Sequence, residues 1–134
     1  MRDRDETRSR PVRDPIDPAA LADAQRALPS EELLALVVEA FKALGDPTRA
    51  RILYGLIRQP LCVRDLAILA GVSESAASHQ LRLLRDRRLV KSAREGNVIY
   101  YSVSDRHVAA LIREAEYHAD HVHSSHPDHP YPLP

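Results

Sequence analysis

Residues 62–87 read CVRDLAILAGVSESAASHQLRLLRDR, and residues 88–103 continue RLVKSAREGNVIYYSV. Val63, Leu66, Ala67 and Leu69 are apolar in a short helical stretch from Cys62 to Ala70, which Gly71 closes. Ser73 then supplies an N-cap, and Ala76, Ala77, Leu81, Leu83 and Leu84 carry a longer helix to about Arg87. A short helix, a turn containing glycine, and a longer helix with polar and basic residues have the sequence form of a helix-turn-helix. Leu89–Ala93 and Val98–Val103 are strand-like, and Glu95-Gly96-Asn97 between them is a turn signal. A hairpin placed directly after a recognition helix is a wing.

Outward from this segment the pattern stays helical. Asp46-Pro47 reads as N-cap and first helical residue, Ile52, Leu53, Leu56 and Ile57 mark a buried face, and Pro60 stops the helix. Upstream, Ser30 caps a helix with Glu31 and Glu32 in its first turn and Leu33, Leu34, Val37, Val38, Phe41 and Leu44 at helical spacing. Residues 19–28 fit a short helix ending before Pro29. Residues 1–18 alternate Arg with Asp or Glu around Pro11, Pro15 and Pro18, so a disordered arm is expected. Asp105 starts a last helix with Val108, Leu111, Ile112 and Ala115 on one side, running to about His123. Pro127, Pro130, Pro132 and Pro134 make 124–134 a flexible His/Pro-rich tail. The expected architecture is mainly α with a β-hairpin wing, with residues 19–123 forming one winged helix-turn-helix domain.

Composition narrows the function. At 134 residues the chain has the length of one domain, and 44% hydrophobic residues with five Tyr, one Phe and no Trp imply an aliphatic core. A single Cys excludes a disulfide framework and fits the cytoplasm. No apolar run reaches a membrane span, and no apolar stretch follows the charged N-terminus as a secretory signal requires. The 19 basic and 19 acidic residues cancel, so a nucleic-acid site must be local. One local excess exists: Arg82, Arg85, Arg87, Arg88, Lys91 and Arg94 lie between Ser73 and Arg94 against only Glu74 and Asp86. His79 and Gln80 can read base edges in a major groove, small hydroxyl residues allow close approach, and Arg82, Arg85 and Arg94 can take phosphates. The bland alternative is a solvated basic face, which the flanking helix and hairpin disfavour.

Six of the seven histidines (His107, His118, His121, His123, His126, His129) fall after Asp105. His107 and His118 are three turns apart plus about 20°, hence on one helix face, but about 16 Å apart along the axis. One ion cannot bridge them, because Zn–N bonds are about 2 Å. Asp105 with His107, and His118 with His121, each supply two ligands. Four-coordination closes when two copies of the helix pack antiparallel, giving two equivalent sites per homodimer with neighbouring apolar residues as the seam. One Asp and three His suit zinc. His123, His126 and His129 can raise the coordination number towards nickel or cobalt, form a loose metal-capturing tail, or do nothing. Ligation requires neutral imidazole, so metal affinity should fall below about pH 6.5. Cys62 and Asp65 offer half of a second site without a matching half, and a structural Cys is preferred.

These residues resemble the ArsR/SmtB metal-sensing winged-helix repressors. The resemblance runs from about Ser30 to His123. It rests on Leu44-Gly-Asp-Pro-Thr-Arg-Ala-Arg-Ile-Leu53, Leu61-Cys-Val-Arg-Asp-Leu-Ala67, Gly71-Val-Ser-Glu-Ser-Ala-Ala-Ser-His-Gln-Leu81, and the pattern Asp105-x-His107 … His118-x-x-His121. It implies a homodimer that binds double-stranded inverted-repeat operator DNA without metal and leaves it when metal binds. It also implies that Ser75, Ser78, His79 and Gln80 face DNA, that the four ligands bridge subunits, and that Arg88 links a ligand histidine to the recognition helix. The absence of a Cys-x-Cys arsenic site and of an N-terminal Cys or His partner for Cys62 departs from some relatives. The histidine tail is similar to the family's nickel/cobalt sensors. Two other readings are a metal-storage or delivery protein and a redox sensor using Cys62. An enzyme is not expected: Ser78 and His79 are adjacent on a helix and diverge, and no phosphate-binding loop or acid/base pair is present.

Overall fold

The computed structural model describes residues 13–125. It divides into two compact units, Met1–Leu34 and Ala35–Pro134. In the first, α1 (Pro18–Ala27) starts where Asp17 accepts a hydrogen bond from the Ala20 amide and Pro18 opens the first turn. Of the arm expected over 1–18, residues 1–12 lie outside the described residues, and Pro18 belongs to α1. Helix α2 (Glu31–Leu44) begins in this unit, with Ser30 Oγ accepting from the Leu33 amide, and ends in the second.

The second unit continues with α3 (Pro47–Arg58), β1 (Leu61–Cys62), α4 (Val63–Ala70), α5 (Glu74–Asp86), β2 (Val90–Glu95), β3 (Val98–Val103) and α6 (Arg106–Ser124). Its helices start and stop by side-chain and backbone chemistry legible in the sequence. Asp46 accepts from the Arg49 amide at the head of α3, and Ser73 from the Ala76 amide at the head of α5. Gly71 takes the left-handed conformation (φ 71°) that lets its own amide and that of Val72 satisfy the last carbonyls of α4. Helix α5 ends by the same motif, but the left-handed position is filled by Arg88 (φ 58°), with Leu89 N bonded to Leu84 O and Arg88 N to Arg85 O.

The sheet is antiparallel in the order β1-β3-β2. Glu95 pairs with Val98 across the two-residue loop Gly96-Asn97, and Gly96 at φ 62° occupies the position where a tight hairpin turn favours glycine. The third strand was not expected: Leu61 pairs with Tyr101 and Cys62 with Tyr100. Cys62 therefore precedes α4 rather than lying inside it, since Pro60 forces an extended entrance that β3 captures.

Ile52, Leu53, Leu66, Leu81 and Leu84 are fully buried where α3, α4 and α5 meet, joined by Leu56, Ala70, Leu89, Val90, Val108 and Ile112. Each such aliphatic side chain contributes about 1.5–3 kcal/mol on leaving water. One expectation needs correction. Val108 and Ile112 are not part of an outward seam, because the side of α6 that carries them packs into the chain's own core. On α2, Leu36 and Phe41 are 68% and 62% exposed and Val37 and Val38 are exposed as well, whereas Ala43 is buried and Leu44 packs against the core.

Candidate nucleic-acid interface and metal-ligand face

Helix α5 buries Ala77, Leu81 and Leu84. At about 100° per residue, Ser75, Ser78, His79 and Arg82 then spread over the opposite side. Ser73, Ser75, Ala76, Ser78, His79 and Arg82 line one open concavity there. A surface of hydroxyls, one imidazole and one guanidinium matches the donor and acceptor needs of base edges and phosphates. Glu74, the acidic residue of the first turn, accepts from Arg64 Nε at 3.0 Å. Their contact raises the Arg64 pKa, the hydrogen bond and the carboxylate charge both favouring the cation. Arg94 lies exposed on β2, in register with Ile99 of β3.

Gln80 sits apart from this group. It is half-buried on the flank of α5, and its Oε1 accepts from Arg49 Nη1 at 3.0 Å. Arg87, exposed at the end of α5, donates from Nε to Glu39 Oε2 of α2 at 3.2 Å.

On α6, the Asp105 carboxylate caps the helix: Oδ1 accepts from the His107 amide at 2.8 Å and the Val108 amide at 3.2 Å. Both bonds fall on one oxygen, leaving Oδ2 for another partner. His107, Leu111, Ala115, His118 and Val122 fall within about 80° of one another, with His121 on the edge of that stripe. All six are exposed. His123 is about 140° away and lines an open cleft with Tyr54, Ile57, Arg58, Glu116 and Tyr117. Beside it the Tyr54 hydroxyl bonds Glu116, linking α3 to α6, and partial burial followed by the Glu116 charge raises the Tyr54 pKa. His126 and His129 lie outside the described residues. Among the described residues, no three His, Cys, Asp or Glu side chains gather into a group that could hold a metal within one chain. Cys62 is a free thiol, half-buried at the edge of the sheet.

Residues 46–92 match the model of the bacterial regulatory proteins of the arsR family. The chain is 54% identical over 89 residues to the transcriptional repressor SmtB homolog of Synechocystis, covering 66% of this chain and 65% of that protein. It is 43% identical over 89 residues to the cadmium resistance transcriptional regulatory protein CadC homolog of Staphylococcus aureus, covering 66% and 74%. The chain belongs to the ArsR family. The fold agrees with a solved structure of that class: the homodimeric winged helix-turn-helix DNA-binding domain of a possible ArsR-family regulator from Mycobacterium bovis superposes with a TM-score of 0.68 at 31% identity, covering 78% of this chain and 99% of that one. The family match spans α3 to the first residues of β2, so it contains the whole helix-turn-helix. Among the described residues no helix is long and apolar enough to cross a membrane.

Within this ArsR-family frame, sequence reasoning missed Arg49. Its Nε donates to Ala43 O at 2.7 Å, Nη2 to Lys42 O at 3.2 Å and Nη1 to Gln80. A signal was present in the sequence. A cation in the first turn of a helix opposes the helix dipole, so Arg49 three residues after the Asp46 cap needed a partner elsewhere.

Proposed function

We propose that this ArsR-family protein is a metal-responsive transcriptional repressor, which binds operator DNA as a homodimer through α5 and the β2–β3 wing and releases it when zinc binds. Asp105 and His107 of one subunit and the equivalents of His118 and His121 on the other would hold the ion. The observation that carries this reading is the placement of the four ligands. His107, His118 and His121 are exposed along one side of α6 and Asp105 caps its first turn, which makes two pairs about 16 Å apart, and no described group within one chain completes a site. A second α6 packed antiparallel supplies what each pair lacks. Exposed Leu111, Ala115 and Val122, with the apolar side of α2, give such a dimer surface to bury. One carboxylate and three imidazoles form the donor set of tetrahedral zinc, and the ion would supply only charge and geometry.

Two recognition helices meet successive major grooves when they stand about 34–36 Å apart. Ligands that span two subunits bias how the subunits sit, and so bias that spacing. Ser75, Ser78, His79 and Arg82 would contact DNA from α5, and Arg94 from the wing. The test is titration of zinc into the protein bound to its operator duplex. Zinc should release the wild type, whereas His118→Ala should stay bound at zinc concentrations that clear the wild type. Release of both alike would overturn the assignment of the site. Cobalt substitution separates the metals: strong visible absorption marks tetrahedral geometry, whereas weak absorption, lost on truncation after His123, marks the nickel/cobalt alternative with tail ligands.

A further inference from the structure

We propose that Arg49 is a positioning residue for DNA recognition: through Gln80 its guanidinium fixes the rotation of α5 relative to the end of α2. The inference rests on α5 being the recognition helix, as proposed above, and goes beyond it by assigning Arg49 and reassigning Gln80.

The geometry is a planar fork with three prongs in use. Nε and Nη2 satisfy the carbonyls of Ala43 and Lys42, two of the last four of α2, which a helix cannot bond internally. Nη1 holds the Gln80 side-chain oxygen. A guanidinium's donors point in fixed directions, so two anchored prongs determine the third. Gln80 is thereby held from a point on α2 and α3, not left free for a base. Reading adenine needs the amide oxygen and nitrogen presented together to the base edge. Here the oxygen is engaged by Arg49, and Gln80 lies about 150° around α5 from the middle of the outer face.

Gln80 is the middle residue of α5; at the helix's C-terminal end, Arg87 is tied to Glu39 of α2. The two ties flank a small gap bordered by Lys42, Ala43, Arg49, Leu83 and Arg87. The Arg49–Gln80 bond resists a roll of α5 against α2, and the exposed Arg87–Glu39 pair adds a weaker restraint. A roll of α5 would carry all four outer side chains off their base edges at once. The clamp therefore sets affinity for the whole half-site and leaves the identity preferred at any single base pair unchanged.

The experiment uses full-length protein and the inverted-repeat duplex that the wild type enriches from a random-sequence pool. Arg49→Lys keeps the charge but cannot hold three acceptors in a plane. Gln80→Met keeps the side-chain length and leaves both α2 bonds intact, so it decides the matter alone if Arg49→Lys fails to fold. Each should weaken binding to that duplex about tenfold or more, and the double variant no further than either single one. Zinc affinity and binding to an unrelated duplex should stay within about twofold. Single-base changes scanned across the half-site should cost Gln80→Met as much, position by position, as they cost the wild type. The clamp is overturned if Gln80→Met relaxes one base pair selectively, if the two losses multiply, or if Gln80→Met binds as the wild type does. Failure of the wild type to enrich any duplex would instead sink the repressor reading on which the clamp depends.

Discussion

Arg88 is held at φ 58°, where an L side chain crowds its own backbone at a cost of about 1–2 kcal/mol. Gly71 performs the same helix-ending task one element earlier, at the end of α4, without that cost. A side chain kept in a strained position at the junction of recognition helix and wing points to a use for the side chain itself. The family resemblance suggests one, a link between a ligand histidine and α5. Stability and function therefore separate at this residue. Arg88→Gly should raise the free energy of unfolding by up to about 1 kcal/mol in urea titration. If the guanidinium carries the link, the same variant should bind zinc normally and fail to release operator DNA. A destabilised variant would mean that the Arg88 side chain contributes more to the fold than its backbone strain removes.

At the scale of elements, Gly55 shows how closely α3 and α4 pack. A Cβ there would collide with Leu69 Cδ2 and come within 3.2 Å of Leu61 Cδ1. In an open helix, replacing glycine gains helix propensity, but here the half-exposed Leu69 side chain would have to turn aside and a branched side chain would still press on Leu61 of β1. Gly55→Val should cost about 1–3 kcal/mol, read as a lower urea midpoint at unchanged m-value. The elements themselves were largely legible, because Asp46-Pro47, Pro60, Gly71, Ser73 and Gly96 act through local backbone chemistry. What stayed hidden was non-local. Strand β1 is two residues long and exists only because β3 lies beside it. The side of α6 that carries Val108 and Ile112 was misjudged because periodicity shows that a helix has an apolar side, not what that side meets. The spacing of Asp105, His107, His118 and His121 is a one-dimensional pattern along one helix and its cap, visible without the fold. Arg49 and Gln80, 31 positions apart in sequence, could be brought together only by the fold.

For the whole molecule, the proposed function turns on a metal site shared between subunits. This makes a mixing experiment more telling than any single variant. A chain carrying Asp105→Ala and His107→Ala keeps only the distal pair; a chain carrying His118→Ala and His121→Ala keeps only the proximal pair. Homodimers of either contain two half-sites and should bind zinc weakly. In a heterodimer the surviving proximal pair of one chain faces the surviving distal pair of the other, so one site is whole and the second has no ligands. If subunits exchange at random, about half of the dimers are mixed and the sample should hold about a quarter of the wild-type zinc at high affinity. Binding and operator release are linked: whatever factor zinc takes from DNA affinity, DNA must take from zinc affinity. The restored fraction should therefore also show zinc binding weakened by operator DNA. Sites confined to one chain would give no recovery on mixing, because each chain would lack half of its own ligands whatever its partner.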